Sequence, residues 1–202
     1  MRRTNEDDSQ HTPGPWRFTE HGDWRVDGSC VIHACDVAIA DHVSFEDAPL
    51  LSAAPEMYAV LQGFLKVWPL EPNELEAYCD TVLVPAARSA VVKANPCPFW
   101  LQLDPMHWAT PWLFTEDDGI IRAPGGEVVA AHVHIEDAPL LTAAPEMYAS
   151  LQELLDLWPL APHELAAYCN ATLVPAARLA QPSARVKARW LNQGFRDKEE
   201  RR

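Results

Sequence analysis

The chain contains one structural unit twice, and this internal duplication constrains its fold more than any other feature. Residues 46–62 read EDAPLLSAAPEMYAVLQ and residues 136–152 read EDAPLLTAAPEMYASLQ, with differences at only two positions. The similarity continues between residues 68–88 and residues 158–178, which begin with WPLEPNELEAYC and WPLAPHELAAYC. Copies this similar adopt similar folds, so the sequence predicts two related units that pair about a pseudo-two-fold axis within one chain.

The start of each copy locates the unit boundaries. PWRFTE (15–20) corresponds to PWLFTE (111–116) at an offset of 96 residues, whereas the later segments correspond at an offset of 90 residues. The first copy therefore has six additional residues, a change that loops tolerate. The predicted organisation is a first unit (11–94), a proline-rich linker (95–106), a second unit (107–180) and a basic C-terminal helix or tail (181–202).

The first half of each unit has the pattern of short antiparallel strands. Segments such as PWRFTE and SCVIHA are rich in β-branched and aromatic residues, and glycine or aspartate separates them. In the second unit, residues 127–135 (EVVAAHVHI) alternate with a period of two. The alternation predicts a strand with a core face of Val129, Ala131, Val133 and Ile135, and an outer face of Ala130, His132 and His134.

The second half of each unit has helical spacing. An apolar stripe with steps of three and one residues is formed by Met57, Val60, Leu61, Phe64, Leu65 and Trp68. Pro49 and Pro55 suit first helical turns, Pro69 ends the long helix, and Pro85 starts or kinks the last one. Asp47 is the predicted N-cap. The predicted class is α+β: each copy is a small antiparallel β-meander followed by two or three short helices, which bury their apolar stripe beneath their own sheet.

Composition places the chain among globular proteins, since 48% of residues are apolar and 22% are charged. The five cysteines form no regular framework, which favours a reducing, cytosolic compartment. MRRTNEDDSQ lacks the apolar stretch of a signal peptide, and no run is long enough to span a bilayer. We therefore expect a cytoplasmic protein without a membrane partner.

The charge is distributed unevenly along the chain. The formal net charge is −13, although the tail from Arg185 onward holds seven basic residues against three acidic ones. An acidic body repels phosphates, so nucleic acid is expected to bind only through the basic tail. The negative body instead favours solubility, basic partners or imitation of nucleic acid. The tail also contains Trp190, Leu191 and Phe195, and binding to nucleic acid or to a membrane surface and folding back onto the acidic body are equally compatible with it.

Two motifs resemble those of a known group of proteins. His11-Thr-Pro-Gly-Pro-Trp16 and the segment DAPLLSAAPEM that begins at Asp47 resemble small bacteriophage and prophage proteins. Those proteins open with T-P-G-P-W and carry an (N/D)-A-x-L-I-x-A-A-P-E-L-L helix. The resemblance extends over both copies, but residues 109–112 (ATPW) of the second copy lack the histidine and the glycine. It implies a phage or prophage accessory gene and carries no activity with it.

Two groups of side chains are candidates for a metal site. Cys30, His33 and Cys35 offer zinc ligands, and His42 is nearby. Structural zinc sites, however, generally use paired C-x2-C or H-x3-5-H spacings, and the second copy has no equivalent cysteines. His132 and His134 share a predicted outer strand face, where histidines without a ligand are more common. We predict no metal site and no cofactor.

No arrangement typical of catalysis is apparent in the sequence. There is no G-x-S-x-G motif, no supported Cys–His pair and no phosphate-binding glycine loop. Glu46 and Asp47, with their equivalents Glu136 and Asp137, could form carboxylate pairs, but helix capping explains Asp47 without chemistry. The chain is therefore predicted not to be an enzyme.

The eight tryptophans suggest surfaces for a partner. Trp68 and Trp158 end apolar stripes and are predicted to be core residues, while Trp16 and Trp112 follow prolines and could close the sheet onto the helices. Exposed tryptophan is enriched at interfaces. The candidate partner-binding residues are His11, Trp16, Trp24, Trp100, Trp108, Trp112 and Trp190.

Four functions are compatible with these features. The leading hypothesis is a non-enzymatic phage or prophage accessory protein that binds a host protein and modulates or inhibits it, such as a defence or nucleic-acid-processing factor. The alternatives are sequestration of a small nucleotide-type ligand between the repeats, acidic mimicry of nucleic acid, and an enzyme of unrecognised type.

Overall fold

The computed structural model describes residues 12, 14–20, 29–94 and 112–179. The predicted linker and the predicted C-terminal helix or tail lie outside the described residues. Among the helices of the described part, none combines the length and apolarity required to cross a membrane.

The first unit is a three-stranded meander followed by helices. Its strands are β1 (Trp16–Glu20), β2 (Ser29–Ala34) and β3 (Val37–Ser44), which pair antiparallel in the order β1-β2-β3. Its helices are α1 (Ala48–Ser52), α2 (Ala54–Val67), α3 (Pro72–Tyr78) and α4 (Val84–Ala94), with a π-helical turn at Cys79–Leu83.

The second unit repeats this order with shorter strands. Its strands are β4 (Leu113–Thr115), β5 (Ile120–Arg122) and β6 (Val128–Ala130), paired antiparallel in the order β4-β5-β6. Its helices are α5 (Ala138–Thr142), α6 (Ala144–Leu157), α7 (Pro162–Tyr168) and α8 (Val174–Leu179), with a π-helical turn at Cys169–Leu173. The predicted α+β class is therefore confirmed.

The π-helical turns follow from the prolines behind them. Pro85 has no amide hydrogen with which to continue the α-helical hydrogen bonds, and its ring would clash with the backbone carbonyl four residues earlier in a regular α-helix. The chain adjusts by widening one turn, in which the Val84 N–H bonds to the carbonyl of Cys79, five residues back. The second unit repeats this bond between Val174 and Cys169. Pro85 thus lies within one continuous helical segment rather than beginning a separate helix.

The two sheets are joined by backbone hydrogen bonds between β3 and the segment that follows β6. Asp41 N–H donates to Ala131 O and Ala131 N–H donates to Asp41 O, both at 2.8 Å, and His134 N–H donates to Ile39 O at 3.2 Å. Since Ala131 is the repeat equivalent of Asp41, this pair marks the pseudo-two-fold axis. The six strands lie in the order β1-β2-β3-β6-β5-β4.

The helices of the two units pack against one another across the same axis. The long helices α2 and α6 are in contact, as are α3 and α7, while α4 of the first unit packs against α6 of the second. The predicted stripes are buried through Met57, Leu61 and Phe64, but they belong to one continuous core shared by both units. The expectation that each unit buries its stripe beneath its own sheet is therefore wrong, because the cross-axis helix contacts merge the two cores.

The strand predicted over residues 127–135 is shorter than its alternation suggested. Strand β6 ends at Ala130, and Ala130 is buried although the pattern placed it on the outer face. Pairing with Asp41 at Ala131 is followed by a left-handed backbone at His132, where φ is 51°, and this interrupts the alternation. Val133 remains buried while His132 and His134 remain exposed.

Candidate functional site

The centre of the sheet brings together three polar side chains from both units. Immediately after the Asp41–Ala131 pair, the chain places His42 and His132 at equivalent positions on either side of the axis. Both have left-handed backbone conformations, with φ of 46° and 51°. Positive φ is uncommon outside glycine, and histidine is one of the few residue types enriched there. The two imidazoles lie with their ring centroids 5.8 Å apart.

Asp41 completes this group, which we call the axial cluster (Asp41, His42 and His132). Its Oδ1 accepts a hydrogen bond from the His42 backbone N–H at 2.8 Å, and its Oδ2 lies 3.8 Å from His132 Nδ1. One ligand atom from each of the three residues lies within 4.8 Å of the other two. The second unit has Ala131 where the first has Asp41, so the cluster contains a single carboxylate.

The outer face of the second sheet carries an exposed apolar row. Arg122 pairs with Leu113 on one side and with Val128 on the other, so the three side chains lie in line across β4, β5 and β6. Leu113 is 67% exposed and Val128 is 44% exposed. Ile120 lies on the same face, paired with Thr115. We call Leu113, Ile120, Arg122 and Val128 the apolar row.

Acidic residues surround the apolar row. The β4–β5 turn contains Glu116, Asp117 and Asp118, all exposed, and Glu127 directly precedes Val128. Asp118 Oδ2 lies 4.0 Å from Arg122 Nη2. The corresponding row of the first sheet consists of Arg17, His33 and Ala38 and lacks large aliphatic side chains.

The tryptophans predicted to bind a partner divide into two groups. Trp16 is 0% exposed and Trp112 is 3% exposed, so both are core residues, and this removes them from the accessible surface. Their packing agrees with the alternative that they close the sheet onto the helices. Trp68 and Trp158, which the sequence predicted to be core residues, are only partly buried and pack against the core. The other candidates, His11, Trp24, Trp100, Trp108 and Trp190, lie outside the described residues.

The Thr-Pro-Gly-Pro-Trp motif links the two units. Asp137 of the second unit accepts hydrogen bonds from the backbone N–H of Thr12 at 2.7 Å and from its hydroxyl at 2.8 Å. The Trp16 indole N–H donates to the Thr12 carbonyl at 3.1 Å. Gly14 lies so close to Pro55 that a Cβ there would be 3.2 Å from the proline Cβ. The residues that carry the phage-like resemblance therefore have a structural role at the junction of the units.

These contacts correct the predicted role of the aspartates. Asp47 and Asp137 occupy the N-cap positions of α1 and α5, but neither side chain makes a capping hydrogen bond. Both are buried, whereas Glu46 is exposed, so Glu46 and Asp47 do not face a common site. A buried carboxylate needs hydrogen-bond donors in place of water, and Thr12 supplies two of them to Asp137.

In the first unit, Lys93 connects β1 to helices α1 and α2 through hydrogen bonds of its ammonium group. Its ammonium donates to the Trp16 carbonyl at 3.1 Å, to the Ser52 carbonyl at 2.8 Å and to Glu56 Oε1 at 2.6 Å. Glu146 is the repeat equivalent of Glu56, but the position equivalent to Lys93 is Ser183. Among the described residues, no donor reaches the buried Oε2 of either glutamate, and none replaces for Glu146 the ammonium that binds Glu56 Oε1. Burial raises the pKa of the Glu146 carboxyl, and a backbone hydrogen bond partly opposes this.

We expect Glu56→Gln and Glu146→Gln to change the stability of the folded protein in opposite directions at pH 7. Because the pKa of Glu146 is raised by folding, the folded state binds its proton more tightly, so stability falls as the pH rises from the ordinary glutamate pKa through the raised one. Glu146→Gln removes this penalty and should increase the Tm at pH 7 and flatten that part of its pH dependence. Glu56→Gln removes the ion pair with Lys93 and should lower stability by up to about 1 kcal/mol. Thermal unfolding between pH 4 and pH 8, on the order of the range in which carboxyl groups and histidine titrate, measures both; a lower Tm for both variants at pH 7 would contradict the assignment.

The side chains considered as zinc ligands in the sequence, those of Cys30, His33 and Cys35, do not converge. Cys30 is buried with the core face of β2, His33 lies on the other face and bonds to the Thr19 hydroxyl at 3.0 Å, and Cys35 lies exposed in the β2–β3 turn. Burial raises the pKa of the Cys79 thiol to about 11 and that of Cys169 to about 12. These two thiols are buried repeat equivalents, and they are poor nucleophiles at neutral pH.

Sequence reasoning missed the axial cluster. It paired His132 with His134 on one strand, whereas the structure pairs His132 with its equivalent His42 and adds Asp41. The signal available in the sequence was that His42 and His132 match across the repeat, since a two-fold axis brings equivalent residues together only where it passes close to them.

Comparison with known protein families places the first unit beside a phage protein. Residues 1–96 match a family described as Salmonella phage P22 protein Y8K6. The chain is similar to a phage protein. This match extends over the first unit and supports the resemblance seen in its motifs. No curated protein and no solved structure gives a significant match.

Proposed function

We propose that the chain is a non-enzymatic phage accessory protein that binds a host protein through the apolar row of its second sheet and thereby modulates or inhibits that protein. The phage part of this proposal is supported by the family match over residues 1–96. The choice of surface rests on one observation, the cross-strand row in which Leu113 and Val128 flank Arg122 on an exposed face.

The composition of the row suits a binding surface. Removing such exposed leucine and valine side chains from water is favourable, by about 25 cal/mol of free energy per Å² of apolar area buried. Arginine is enriched at interfaces because its planar guanidinium both packs and donates several hydrogen bonds. The strands beneath the row are paired with each other, so its side chains are held in register before a partner arrives.

The acidic surroundings indicate the chemistry of the partner. Glu116, Asp117, Asp118 and Glu127 form a negative rim around an apolar centre. Such a rim accelerates association with a basic surface and disfavours acidic ones. The proposed partner therefore presents an apolar patch bordered by lysine or arginine.

A capture experiment with matched variants tests the surface. The immobilised full chain is incubated with bacterial lysate, in parallel with the double variant Leu113→Glu/Val128→Glu and with the control Ala38→Glu. The control introduces a glutamate at the position of the first unit equivalent to Val128. We expect the wild type and the control to retain the same protein in stoichiometric amount, and the double variant to retain at most about a tenth of it, which corresponds to about 1.4 kcal/mol of binding energy.

Two results would contradict the proposal. Absence of any stoichiometric partner would contradict the proposed binding of a host protein. Equal capture by all three chains would contradict its assignment to the apolar row. Circular dichroism of each variant shows whether it has folded, and raising the salt concentration should weaken capture by the wild type if the acidic rim contributes.

A further inference from the structure

We propose that the axial cluster is a binding site for a divalent transition-metal ion, with Zn²⁺ as the expected occupant. The site is distinct from the apolar row, and its ligands come from both units: Asp41 and His42 from the first and His132 from the second. No part of this inference depends on the proposed host partner.

The ligand set has the chemistry that zinc uses in proteins. Zinc takes imidazole nitrogens and carboxylate oxygens at about 2.0–2.2 Å, and sites with three protein ligands leave a fourth position for water. Two histidines and one aspartate provide this set. A magnesium or calcium ion would instead require several oxygen ligands, and the cluster contains a single carboxylate.

The distances are compatible with coordination after small side-chain rotations. Ligand atoms around tetrahedral zinc lie about 3.4 Å apart, as follows from its bond lengths. In the structure, the three candidate atoms lie within 4.8 Å of one another. The His132 side chain is 70% exposed, so rotation toward the ion meets little resistance from packing. The imidazole rings are inclined at 58° rather than stacked, and both can direct a nitrogen toward a common point.

The backbone holds the site in place before an ion binds. The reciprocal hydrogen bonds between Asp41 and Ala131 fix the two chains next to each other at 2.8 Å. Asp41 Oδ1 is held by the His42 N–H, which leaves Oδ2 directed toward His132. Hydrogen bonds of this kind orient ligands and contribute substantially to metal affinity. The left-handed conformation of both histidines is a further constraint that sites with a ligand commonly show.

Zinc binding to the EDTA-treated full chain tests the proposal by isothermal titration calorimetry with ZnCl₂. We expect one zinc ion per chain, bound by the axial cluster. His42→Asn and His132→Asn should each weaken the affinity at least about tenfold, because an amide is a poor zinc ligand. Asparagine is chosen because it tolerates positive φ, so the backbone at these positions is retained. His163→Ala, an exposed histidine in the first turn of α7, is the control and should bind zinc as the wild type does.

The asymmetry of the cluster allows a gain of function to be tested. Ala131→Asp introduces into the second unit the carboxylate that Asp41 supplies in the first, which adds a fourth ligand across the axis. We expect this variant to bind zinc at least about tenfold more tightly than the wild type, because four protein ligands close the tetrahedral site. A variant that merely disturbed the fold would not strengthen binding.

Several outcomes would overturn the proposal. These are no binding of Zn²⁺ at millimolar concentration, zinc binding that survives both asparagine substitutions unchanged, and a preference for Mg²⁺ over Zn²⁺. The absorption bands of bound Co²⁺ provide an independent measurement, since the two asparagine variants should lose the intensity that nitrogen ligands produce and the His163→Ala control should keep it.

Discussion

Replacing Trp16 with alanine should lower the free energy of unfolding by about 3–5 kcal/mol, the range observed for loss of a large aromatic side chain from a core. The indole is 0% exposed and packs in the continuous core of the two units. The substitution would also remove the hydrogen bond from the indole N–H to the Thr12 carbonyl. Urea unfolding followed by circular dichroism measures the change through the midpoint.

Trp16→Phe is the matched variant. It keeps an aromatic ring in the core but loses the indole N–H, so its cost should lie well below that of Trp16→Ala. A loss below about 1 kcal/mol for Trp16→Ala would contradict the core assignment. Such a result would instead favour the sequence-based prediction that Trp16 binds a partner.

The second large effect is expected at the junction of the two units. Asp137→Ala should destabilise the protein by about 3 kcal/mol, because hydrogen bonds to charged groups contribute about 1.5–3 kcal/mol and this carboxylate accepts two of them. The side chain is buried, so water replaces the lost bonds poorly. Thermal and urea unfolding of the full chain measure the loss.

A double-mutant cycle separates this contact from other effects of removing Asp137. Thr12→Val deletes the hydroxyl donor but leaves the backbone donor, so we expect it to cost about 1–2 kcal/mol. If the two residues interact, the double variant Thr12→Val/Asp137→Ala should cost about 1 kcal/mol less than the sum of the single variants. Simple additivity would show that the hydrogen bond from the Thr12 hydroxyl to Asp137 contributes nothing to stability.

The elements that the sequence predicted are those with local physical causes. The stripe that includes Met57, Leu61 and Phe64 is buried because a helix places residues three and four apart on one face. Pro49 and Pro55 occupy first turns, where their missing N–H costs no hydrogen bond. The α+β class followed from these periodicities together with the strands of the first half.

Predictions failed where a distant residue competed with the local one. Asp47 and Asp137 have the residue type and position of N-caps, yet Asp137 bonds to Thr12, which precedes it by 125 residues. The strand alternation in the second unit stopped at Ala130 because Ala131 pairs with the other unit and His132 adopts positive φ. In both cases a contact between the units replaced the local preference.

The candidate binding surfaces also differ in whether the sequence or the tertiary structure identifies them. The tryptophans were identified from residue type, but residue type does not distinguish a core indole from an exposed one, and Trp16 and Trp112 are buried. The apolar row could be identified only once the register placed Leu113, Arg122 and Val128 in line. Register depends on which strands pair and where, and strands this short carry little of that information.

The sequence alone determined that the chain holds two copies of an α+β unit, because near-identical segments have the same local preferences and therefore form the same helices and strands. The tertiary structure alone decided where the two copies meet. It placed the axis at Asp41 and Ala131, joined the sheets there, merged the two cores and brought His42 beside His132. These contacts join residues that lie 90 positions apart, and the free energy of burying two helix layers together selects them rather than any period in the sequence.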